Sequence, residues 1–309
     1  MKAVCIYAYG GPEVLTYEDA PCPHPEAGEV LVRVHAAGIN PVDWKIRAGH
    51  LKEMLHSTLP LILGWDVSGV VESLGTGLTR LKVGDAVFSR PDIARDGAYA
   101  EFIVMRESEV ALKPASIDHV HAAALPLAGL TAWQTLFTAG GLAAGQRVLI
   151  HAAAGGVGSL AVQLAKWKGA HVIGTASARN HDFLRKLGVD QVVDYATVPF
   201  EGAVDPVDLV LDTQGGEVQE RSWKVLKPGG ILVSIAQPPS AAAAAAHGVR
   251  QAFVFTQPNA AQLAEIAALV DAEKLKAIVE TVLPLSDATR GQELSERGHT
   301  RGKIVLRVI

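Results

Sequence analysis

A glycine-rich turn separates an apolar run from an amphipathic one in "VLIHAAAGGVGSLAVQLAKWKGAHVIGTAS", residues 148–177. A strand that ends in such a turn and continues into a helix directs free backbone N–H groups and the positive end of the helix dipole at one point, which suits a phosphate. The G-x-G-x-x-G spacing falls on Ala153, Gly155 and Gly158, so the first glycine is replaced. Glycines at these positions also occur where a helix simply packs on a strand.

The residues that follow the turn distinguish between two kinds of phosphate site. A P-loop needs Lys and then Ser or Thr after its last glycine, whereas Ser159 and Leu160 follow Gly158 here. A dinucleotide site needs a helix and a second strand. Both follow, because apolar residues recur with helical spacing from Val157 to Ala165 and "HVIGTAS" is typical of a strand. The sequence therefore predicts a dinucleotide site, with contacts from Ala154, Gly155, Gly156 and Val157.

The end of the second strand indicates which dinucleotide is bound. NAD sites offer an Asp or Glu to the ribose hydroxyls about 20 residues after the glycines, but this chain has "TASARN" there and its first acid, Asp182, comes later. Ser177 can donate a hydrogen bond, and Arg179 can pair in bidentate fashion with a 2′-phosphate or act only as a solvated residue at a helix start. Tyr195, after the third strand, can add its hydroxyl or pack on the sheet. We predict NADPH as the cofactor.

Two patterns of secondary structure divide the chain. Up to about residue 122, short strands such as "EVLVRVHAA" and "VSGVVESLG" are separated by Gly, Pro and Asp turns. The next part alternates six apolar strands with helical segments, which predicts an α/β fold with a doubly wound parallel sheet. A helix and a closing strand, "KIVLRVI", are expected to pack back onto the β half. We predict one domain from residues 1–123 and 258–309, and another from residues 124–257.

Composition excludes several classes of protein. The 309 residues are 49% hydrophobic and 19% charged, which suits two domains with full cores. A formal charge of −4 without a basic cluster argues against nucleic acid or an anionic membrane as a partner. Cys5 and Cys22 are too few for a disulfide framework or a four-cysteine zinc lobe, so a cytoplasmic location is expected. No export signal or membrane span is expected either.

Several longer stretches carry a family resemblance. They are "AAGINPVDWKIRAG", "GWDVSGVVESLGTGLTRLKVGDAVF", "LPLAGLTAWQTLF", "VLIHAAAGGVG" and "HTRGKIVLRV". Through them the chain resembles, over essentially its whole length, the zinc-free quinone oxidoreductase branch of the medium-chain dehydrogenase/reductase superfamily. "NPVDWKI" and "SARN" are most similar to its NADPH-dependent alkenal/enone oxidoreductases. The resemblance implies a GroES-like β-barrel catalytic domain, a Rossmann domain with a six-stranded parallel sheet, NADPH in the cleft between them, and a homodimer.

The resemblance also indicates whether the chain has the ligands of a catalytic zinc. Zinc alcohol dehydrogenases of this superfamily have a cysteine ligand where this chain has Asn40 and a histidine ligand where it has Trp65. An amide and an indole do not replace thiolate and imidazole on zinc. We therefore expect no metal site. Without a Lewis acid, a conjugated acceptor is easier to reduce than a simple ketone.

These residues suggest a mechanism. Hydride passes from the nicotinamide of NADPH to the β-carbon of an enone, or into a quinone ring, and the negative charge that develops on the carbonyl oxygen needs donors nearby. Asn40 and Lys45, in the "NPVDWK" loop, are the predicted catalytic residues, Asn40 through its amide N–H and Lys45 through its charge, with Lys45 or water delivering the proton. The alternatives are a structural amide for Asn40 and a surface position for Lys45. Asp43 is expected to hold the loop.

The resemblance implies further cofactor contacts by motif match. Thr131 faces the nicotinamide ribose, Ile235 and Ala236 approach the nicotinamide, and the backbone of Phe255 contacts its carboxamide. Lys303, in "RGKIVL", meets the pyrophosphate. Each of these positions can also serve plain domain packing.

The sequence is compatible with two functions. One is an NADPH-dependent, zinc-independent reductase of a small-molecule quinone or enone (alkenal). The other is an NADPH-binding accessory or regulatory protein of the same fold with little catalysis. The donors kept in the "NPVDWK" loop favour the enzyme, although fold alone does not decide between them.

Overall fold

The chain folds as two compact units. The computed structural model describes residues 1–55 and 58–309. The first unit comprises Met1–Leu127, Gln257–Glu273 and Ala277–Ile309, and the second comprises Ala128–Thr256 with Lys274–Lys276. The sequence placed the domain boundaries after residues 123 and 257, whereas the units change after Leu127 and Thr256.

Antiparallel strands dominate the first 127 residues. The elements are β1 (Lys2–Ile6), β2 (Thr16–Asp19), β3 (Glu29–Ile39), α1 (Pro41–Arg47), α2 (Lys52–Leu55), β4 (Leu61–Ile62), β5 (Val67–Leu74), β6 (Ala86–Ser89), β7 (Phe102–Arg106), β8 (Val110–Leu112) and α3 (His119–Ala122). Strand β1 lies between β2 and β4 in a small sheet. Strand β3 pairs with β5 and β7, and the chain of pairing continues through β6 to β8.

The second unit is built on a parallel sheet. Its elements are α4 (Pro126–Trp133), a π-helical segment (Gln134–Ala139), β9 (Arg147–Ile150), α5 (Gly156–Trp167), β10 (His171–Ala176), α6 (His181–Lys186), β11 (Gln191–Asp194), α7 (Phe200–Ala203), β12 (Val207–Asp212), α8 (Gly216–Ser222), β13 (Leu226–Ser234), α9 (Ala241–Ala246) and β14 (Arg250–Phe253). The strand order is β11-β10-β9-β12-β13-β14 and every pair is parallel. The predicted doubly wound sheet of six strands is confirmed, and its order reverses between β9 and β12, where ligands of such sheets bind.

The last segment returns to the first unit, as expected. It contains α10 (Ala260–Asp271), β15 (Val279–Pro284), α11 (Ala288–Arg297) and β16 (Lys303–Arg307). Strand β16 pairs antiparallel with β3, with Ile304 opposite Ile39. This register brings Lys303 beside Asn40, although the two residues are far apart in the sequence.

The segment "NPVDWKI" is a helix rather than the loop that the sequence suggested. Asn40 is the N-cap of α1, Pro41 occupies its first turn, and Asp43 lies at the third position of the helix. The Asp43 carboxyl accepts the Asn40 backbone N–H at 2.8 Å, which completes half of a capping box. The short helix therefore begins at a fixed point, directly after β3.

Candidate functional site

The glycine-rich turn links β9 to α5 and leaves the start of that helix open. Ala152 has a left-handed φ of 49°, and its carbonyl accepts the Gly155 N–H at 3.0 Å. Gly155 is the N-cap of α5, and no side chain caps the helix. The N–H groups of the first turn are therefore available to an external acceptor, and the helix dipole favours an anion there.

The packing of the turn explains which of its small residues must be glycine. A Cβ at Gly158 would lie 2.3 Å from the Ala152 carbonyl oxygen and 2.7 Å from the Ala153 Cα, so no side chain fits there unless the turn moves. At position 153 a methyl group is tolerated, because Gly174 on β10 leaves the space that it occupies: a Cβ on Gly174 would lie 2.8 Å from that of Ala153. The replaced first glycine is thus compatible with a dinucleotide site.

The residues predicted to select NADPH lie at the same edge of the sheet. Strands β10 and β11 are parallel, with Ala176 opposite Asp194. Ser177 and Tyr195 follow these two residues and therefore leave the sheet side by side, and Arg179 lies in the 3₁₀ turn that Ser177 begins. Tyr195 is 54% exposed and Arg179 is also exposed. The edge thus presents a hydroxyl, a phenol and a guanidinium next to the glycine-rich turn.

The other predicted cofactor contacts of the second unit occupy the ends of β13 and β14 and the body of α4. The Ile235 N–H is bonded to the Asp212 carbonyl at 3.0 Å, and the Ala236 N–H donates to the Ser234 hydroxyl at 3.2 Å. The hydroxyl of Thr131 lies 2.7 Å from that of Thr256, and both residues are buried. Phe255, between β14 and Thr256, is half-buried. Their roles toward the nicotinamide stay predictions.

Sequence reasoning missed Asp212, the buried residue that organises this end of the sheet. Its carboxylate accepts the backbone N–H groups of Gln214 and Gly215, each at 2.9 Å. It also accepts the Ser234 hydroxyl at 2.8 Å and the Gln219 amide at 2.9 Å. The Asp212 carboxylate therefore ties the chain after β12 to the end of β13. Only its position at the end of an apolar strand, in "LVLDT", signals this role.

His151, directly after β9, is a buried residue with a structural role. The residue is 2% exposed, and its two ring nitrogens lie 3.2 Å from the Thr175 hydroxyl and 2.9 Å from the Ser222 hydroxyl. Burial lowers the pKa of the imidazole to about 4. The ring is therefore neutral near pH 7 and acts as a hydrogen-bonding spacer.

In the first unit, Asn40 belongs to a buried polar cluster that we call the amide cluster: Asn40, Asp66 and Lys303. The Asn40 Nδ2 donates to Asp66 Oδ2 at 2.8 Å. The Lys303 ammonium donates to the same carboxylate oxygen at 2.8 Å, to the Ile39 carbonyl at 2.8 Å and to the Asn40 Oδ1. The three residues are 5%, 0% and 5% exposed, respectively. The cluster joins the end of β3, the start of β5 and the start of β16.

The structure gives Lys303 partners other than the pyrophosphate that the resemblance implied. An ammonium has three hydrogens, and the Ile39 carbonyl, the Asn40 Oδ1 and the Asp66 Oδ2 accept all of them. A pyrophosphate contact would require Lys303 to leave a buried carboxylate. The predicted contact with the pyrophosphate therefore receives no support from this geometry, whereas a link to Asn40 does.

Asp43 and Lys45, on α1, have different environments. Asp43 is fully buried and accepts the Tyr99 hydroxyl at 2.7 Å in addition to the Asn40 backbone N–H. Burial raises the pKa of its carboxyl to about 7. Asp43 thus holds the helix start, as expected. Lys45 is partly exposed and its ammonium lies 5.7 Å from the centre of the Trp44 ring, away from the contacts of the amide cluster.

The residues present do not fit a catalytic zinc. Asn40 binds an ammonium through its Oδ1, so a cation from within the chain already occupies that side of the amide. Trp65 is fully buried and its indole N–H donates to the Arg95 carbonyl at 3.3 Å. Within residues 1–55 and 58–309, no group of three or more His, Cys, Asp or Glu side chains is arranged to hold a metal ion.

Comparisons with known proteins agree with this architecture. The alcohol dehydrogenase GroES-like domain model matches residues 26–115, and the zinc-binding dehydrogenase model matches residues 187–306. Two relatives cover nearly the whole chain. The mitochondrial NAD(P)H oxidoreductase RTN4IP1 of Danio rerio is 34% identical over 100% of this chain and 92% of its own length. The chloroplastic NADPH-dependent alkenal/one oxidoreductase of Arabidopsis thaliana is 35% identical over 99% of this chain and 79% of its own length.

A solved structure extends the likeness to three dimensions. The quinone oxidoreductase from Coxiella burnetii has a TM-score of 0.94 and 38% identity, over 100% of this chain and 99% of that one. A GroES-like unit together with a parallel dinucleotide-binding sheet defines an oxidoreductase that uses a nicotinamide cofactor. The chain belongs to the medium-chain dehydrogenase/reductase superfamily, in its quinone and enone oxidoreductase branch. The family and fold predictions are thereby confirmed.

Within residues 1–55 and 58–309, no helix combines the length and the apolar character that a membrane crossing requires.

Proposed function

We propose that the chain catalyses the NADPH-dependent reduction of a quinone or an α,β-unsaturated carbonyl compound, without zinc. The observation that carries the proposal is the Asn40 amide, which is buried and held at both ends by a carboxylate and an ammonium. A fixed amide N–H stabilises a carbonyl oxygen that becomes negative. The names of the Coxiella and Arabidopsis relatives, a quinone oxidoreductase and an alkenal/one oxidoreductase, support the same choice of acceptor.

The second unit holds the cofactor in this proposal. The open start of α5 binds the pyrophosphate through backbone N–H groups, and Gly158 keeps the turn closely packed on the helix. Ser177, Arg179 and Tyr195 bind the 2′-phosphate, because a guanidinium and two hydroxyls complement its charge and its acceptor oxygens. When bound, NADPH supplies the hydride.

The first unit stabilises the acceptor. The Asn40 amide donates to the carbonyl oxygen on which negative charge develops. Lys45, on the same helix, adds a positive charge and a proton donor from a partly exposed position, and water is the other source of the proton. Neither role needs a metal, since a hydrogen-bond donor and an ammonium share the charge.

Absorbance at 340 nm tests this proposal. Purified protein is mixed with NADPH or NADH and with a panel of quinones, enones, alkenals and saturated ketones. We expect oxidation of NADPH with conjugated acceptors and little with saturated ketones. A flat trace with every acceptor, together with tight NADPH binding, would instead support the accessory or regulatory function. Elemental analysis of the active protein tests zinc independence, because stoichiometric zinc in the preparation would contradict it.

Two further features are part of the proposal. A homodimer is supported by the position of β14 at the edge of the six-stranded sheet, where Phe253 is 41% exposed and backbone groups can pair with another chain. A cytoplasmic location is supported by the cysteines, since buried Cys5 and exposed Cys22 are both free thiols. Size-exclusion chromatography with light scattering measures the mass of the protein in solution, and the mass of a monomer would contradict the homodimer.

A further inference from the structure

The chemistry of its neighbours fixes the orientation of the Asn40 side chain. An ammonium can only donate hydrogen bonds and a carboxylate can only accept them. The amide oxygen must therefore face Lys303 and the amide nitrogen must face Asp66, as observed. A flipped amide would place its N–H groups against the ammonium and its oxygen against the carboxylate, and would lose both bonds.

One hydrogen of the Asn40 amide remains for a substrate. The nitrogen carries two hydrogens, and Asp66 accepts one of them. Among the residues that the structure describes, none accepts the second. Because the orientation is fixed, this hydrogen has a fixed direction, which is what an oxyanion donor requires.

Lys303 does more than hold the amide oxygen. A positive charge on the oxygen of an amide draws electron density from its nitrogen and strengthens the N–H as a donor. Burial keeps water from screening this effect, since Lys303 is 5% and Asp66 is 0% exposed. Asp66 is in turn held by the Leu127 N–H, which donates to its Oδ1 at 2.5 Å. Both carboxylate oxygens of Asp66 and all three hydrogens of the Lys303 ammonium thus have partners.

The backbone at Gly38 leaves room for the Asp66 side chain beside β3. A Cβ at Gly38 on β3 would lie 2.8 Å from the Asp66 side chain and 2.4 Å from the Ala123 carbonyl oxygen. The Gly38 N–H also donates to the Asp66 carbonyl at 3.0 Å. Glycine at this position thus lets the strand carry Asn40 up to the carboxylate.

We propose that Lys303 and Asp66 are positioning residues that orient and polarise the Asn40 amide as the oxyanion donor. This inference rests on the proposed reductase function. Lys303 acts through Asn40 and contacts neither cofactor nor substrate, and its internal positive charge stands beside the amide where zinc-dependent relatives have a metal ligand. The acceptor class that fits such a donor is a neutral conjugated carbonyl whose oxygen becomes anionic during reduction.

A double-mutant cycle between Lys303→Met and Asn40→Ala tests the inference, with kcat and KM measured for NADPH and for the acceptor that the substrate panel identifies. We expect Lys303→Met to lower kcat about tenfold or more while KM for NADPH stays unchanged. In the Asn40→Ala background the same substitution should have little further effect on kcat, because the amide through which it acts is gone. Lys303→Arg, which keeps the charge, should recover part of the rate.

A matched lysine controls for the loss of a buried ammonium. Lys113 also donates to backbone carbonyls, those of Pro114 and Ile117, and is half-buried in the same unit. Lys113→Met should lower the melting temperature and leave kcat unchanged. If Lys303→Met does not fold because Asp66 is left unpaired, the variant Lys303→Met/Asp66→Asn removes both charges together and is measured in its place.

The outcomes separate the inference from the function on which it rests. Additive losses of kcat in the cycle would overturn the positioning role. A rise in KM for NADPH at unchanged kcat in Lys303→Met would also overturn it, and would support a contact between Lys303 and the pyrophosphate instead. No turnover by the unmodified protein with any acceptor would overturn the proposed function and the inference together. Turnover with a non-additive cycle would support both.

Discussion

The two regions on which the proposed function rests, the glycine-rich turn and the amide cluster, are built in different ways. The glycine-rich turn between β9 and α5 offers backbone N–H groups, and its geometry arises from neighbours in the sequence. The amide cluster offers a side-chain amide whose nitrogen and oxygen have partners 26 and 263 residues away, respectively. A backbone site depends on close packing without side chains, whereas a side-chain site depends on buried charges that balance each other. We therefore expect the turn to lose cofactor binding when side-chain atoms are added. We expect the amide cluster to lose its function as a donor when the amide or its charged partners are removed.

Adding side-chain atoms at the turn should have the largest effect on cofactor binding. Gly158→Val would place a branched side chain against the Ala152 carbonyl, so the turn must move away from the helix start. A displacement that costs about 3 kcal/mol corresponds to about a 100-fold loss of NADPH affinity. Titration of NADPH fluorescence measures it.

Gly202 provides the control, since a Cβ there would meet open space and Gly202→Ala lies in the same unit. The control should bind NADPH as the unmodified protein does. Normal NADPH affinity in folded Gly158→Val would show that the turn does not receive the pyrophosphate.

Removing the amide should affect the chemical step instead. Asn40→Ala deletes the donor and should lower kcat for an enone about 100-fold, in the range found when an oxyanion donor is lost. NADPH affinity should not change, because the Asn40 amide is not among the proposed contacts of the cofactor. Steady-state kinetics at saturating NADPH give kcat, and an undiminished value would leave Asn40 with only its structural role at the start of α1.

Arg179 tests the choice of cofactor at the edge of the sheet. Arg179→Ala should weaken NADPH binding about 10- to 100-fold, the expected cost of losing hydrogen bonds between charged groups. NADH, which lacks the 2′-phosphate, should bind as before. The ratio of the two dissociation constants is the measurement, and equal losses for both cofactors would refute the contact with the phosphate.

Asp43, near the start of α1, should make the stability of the folded protein depend on pH. Its pKa is about 7 in the folded protein because the carboxyl is buried, against 3.8 in the unfolded chain. Between these values the folded protein holds a proton that the unfolded chain releases, so this group makes stability fall as pH rises from about 4 to about 7. From pH 5 to pH 8 the loss should be on the order of 2 kcal/mol.

Urea denaturation at several pH values in the unmodified protein and in Asp43→Asn measures this contribution. The asparagine variant cannot ionise and should show a flatter dependence over the same interval. Identical pH profiles for the two proteins would assign the dependence to other groups.

The smallest effect is expected at Tyr195. Its hydroxyl is one of several groups proposed to bind the 2′-phosphate, and the residue is 54% exposed. Tyr195→Phe should cost about 1 kcal/mol of NADPH binding, or roughly fivefold in affinity. An unchanged dissociation constant would favour the alternative in which the ring only packs on the sheet.

The contrast also explains how much the sequence could predict. Periodic apolar residues and turn glycines are local signals, so the six parallel strands and the open start of α5 were predicted correctly. The contact of Lys303 with Asn40 was not predicted, because it depends on the register of β16 against β3. Asp212 was missed for a similar reason, since one of its partners follows β12 and another ends β13. The helix at "NPVDWKI" was taken for a loop because it is short and begins with Asn and Pro.

The proposed function predicts one chemical result above all, the position at which hydride enters the acceptor. The protein is incubated with an enone and NADPH that carries deuterium at the transferable position of C4, and the product is examined by NMR. We predict deuterium at the β-carbon of a saturated ketone. Deuterium at the carbonyl carbon of an allylic alcohol would contradict the central claim, because it would show direct carbonyl reduction in place of conjugate reduction.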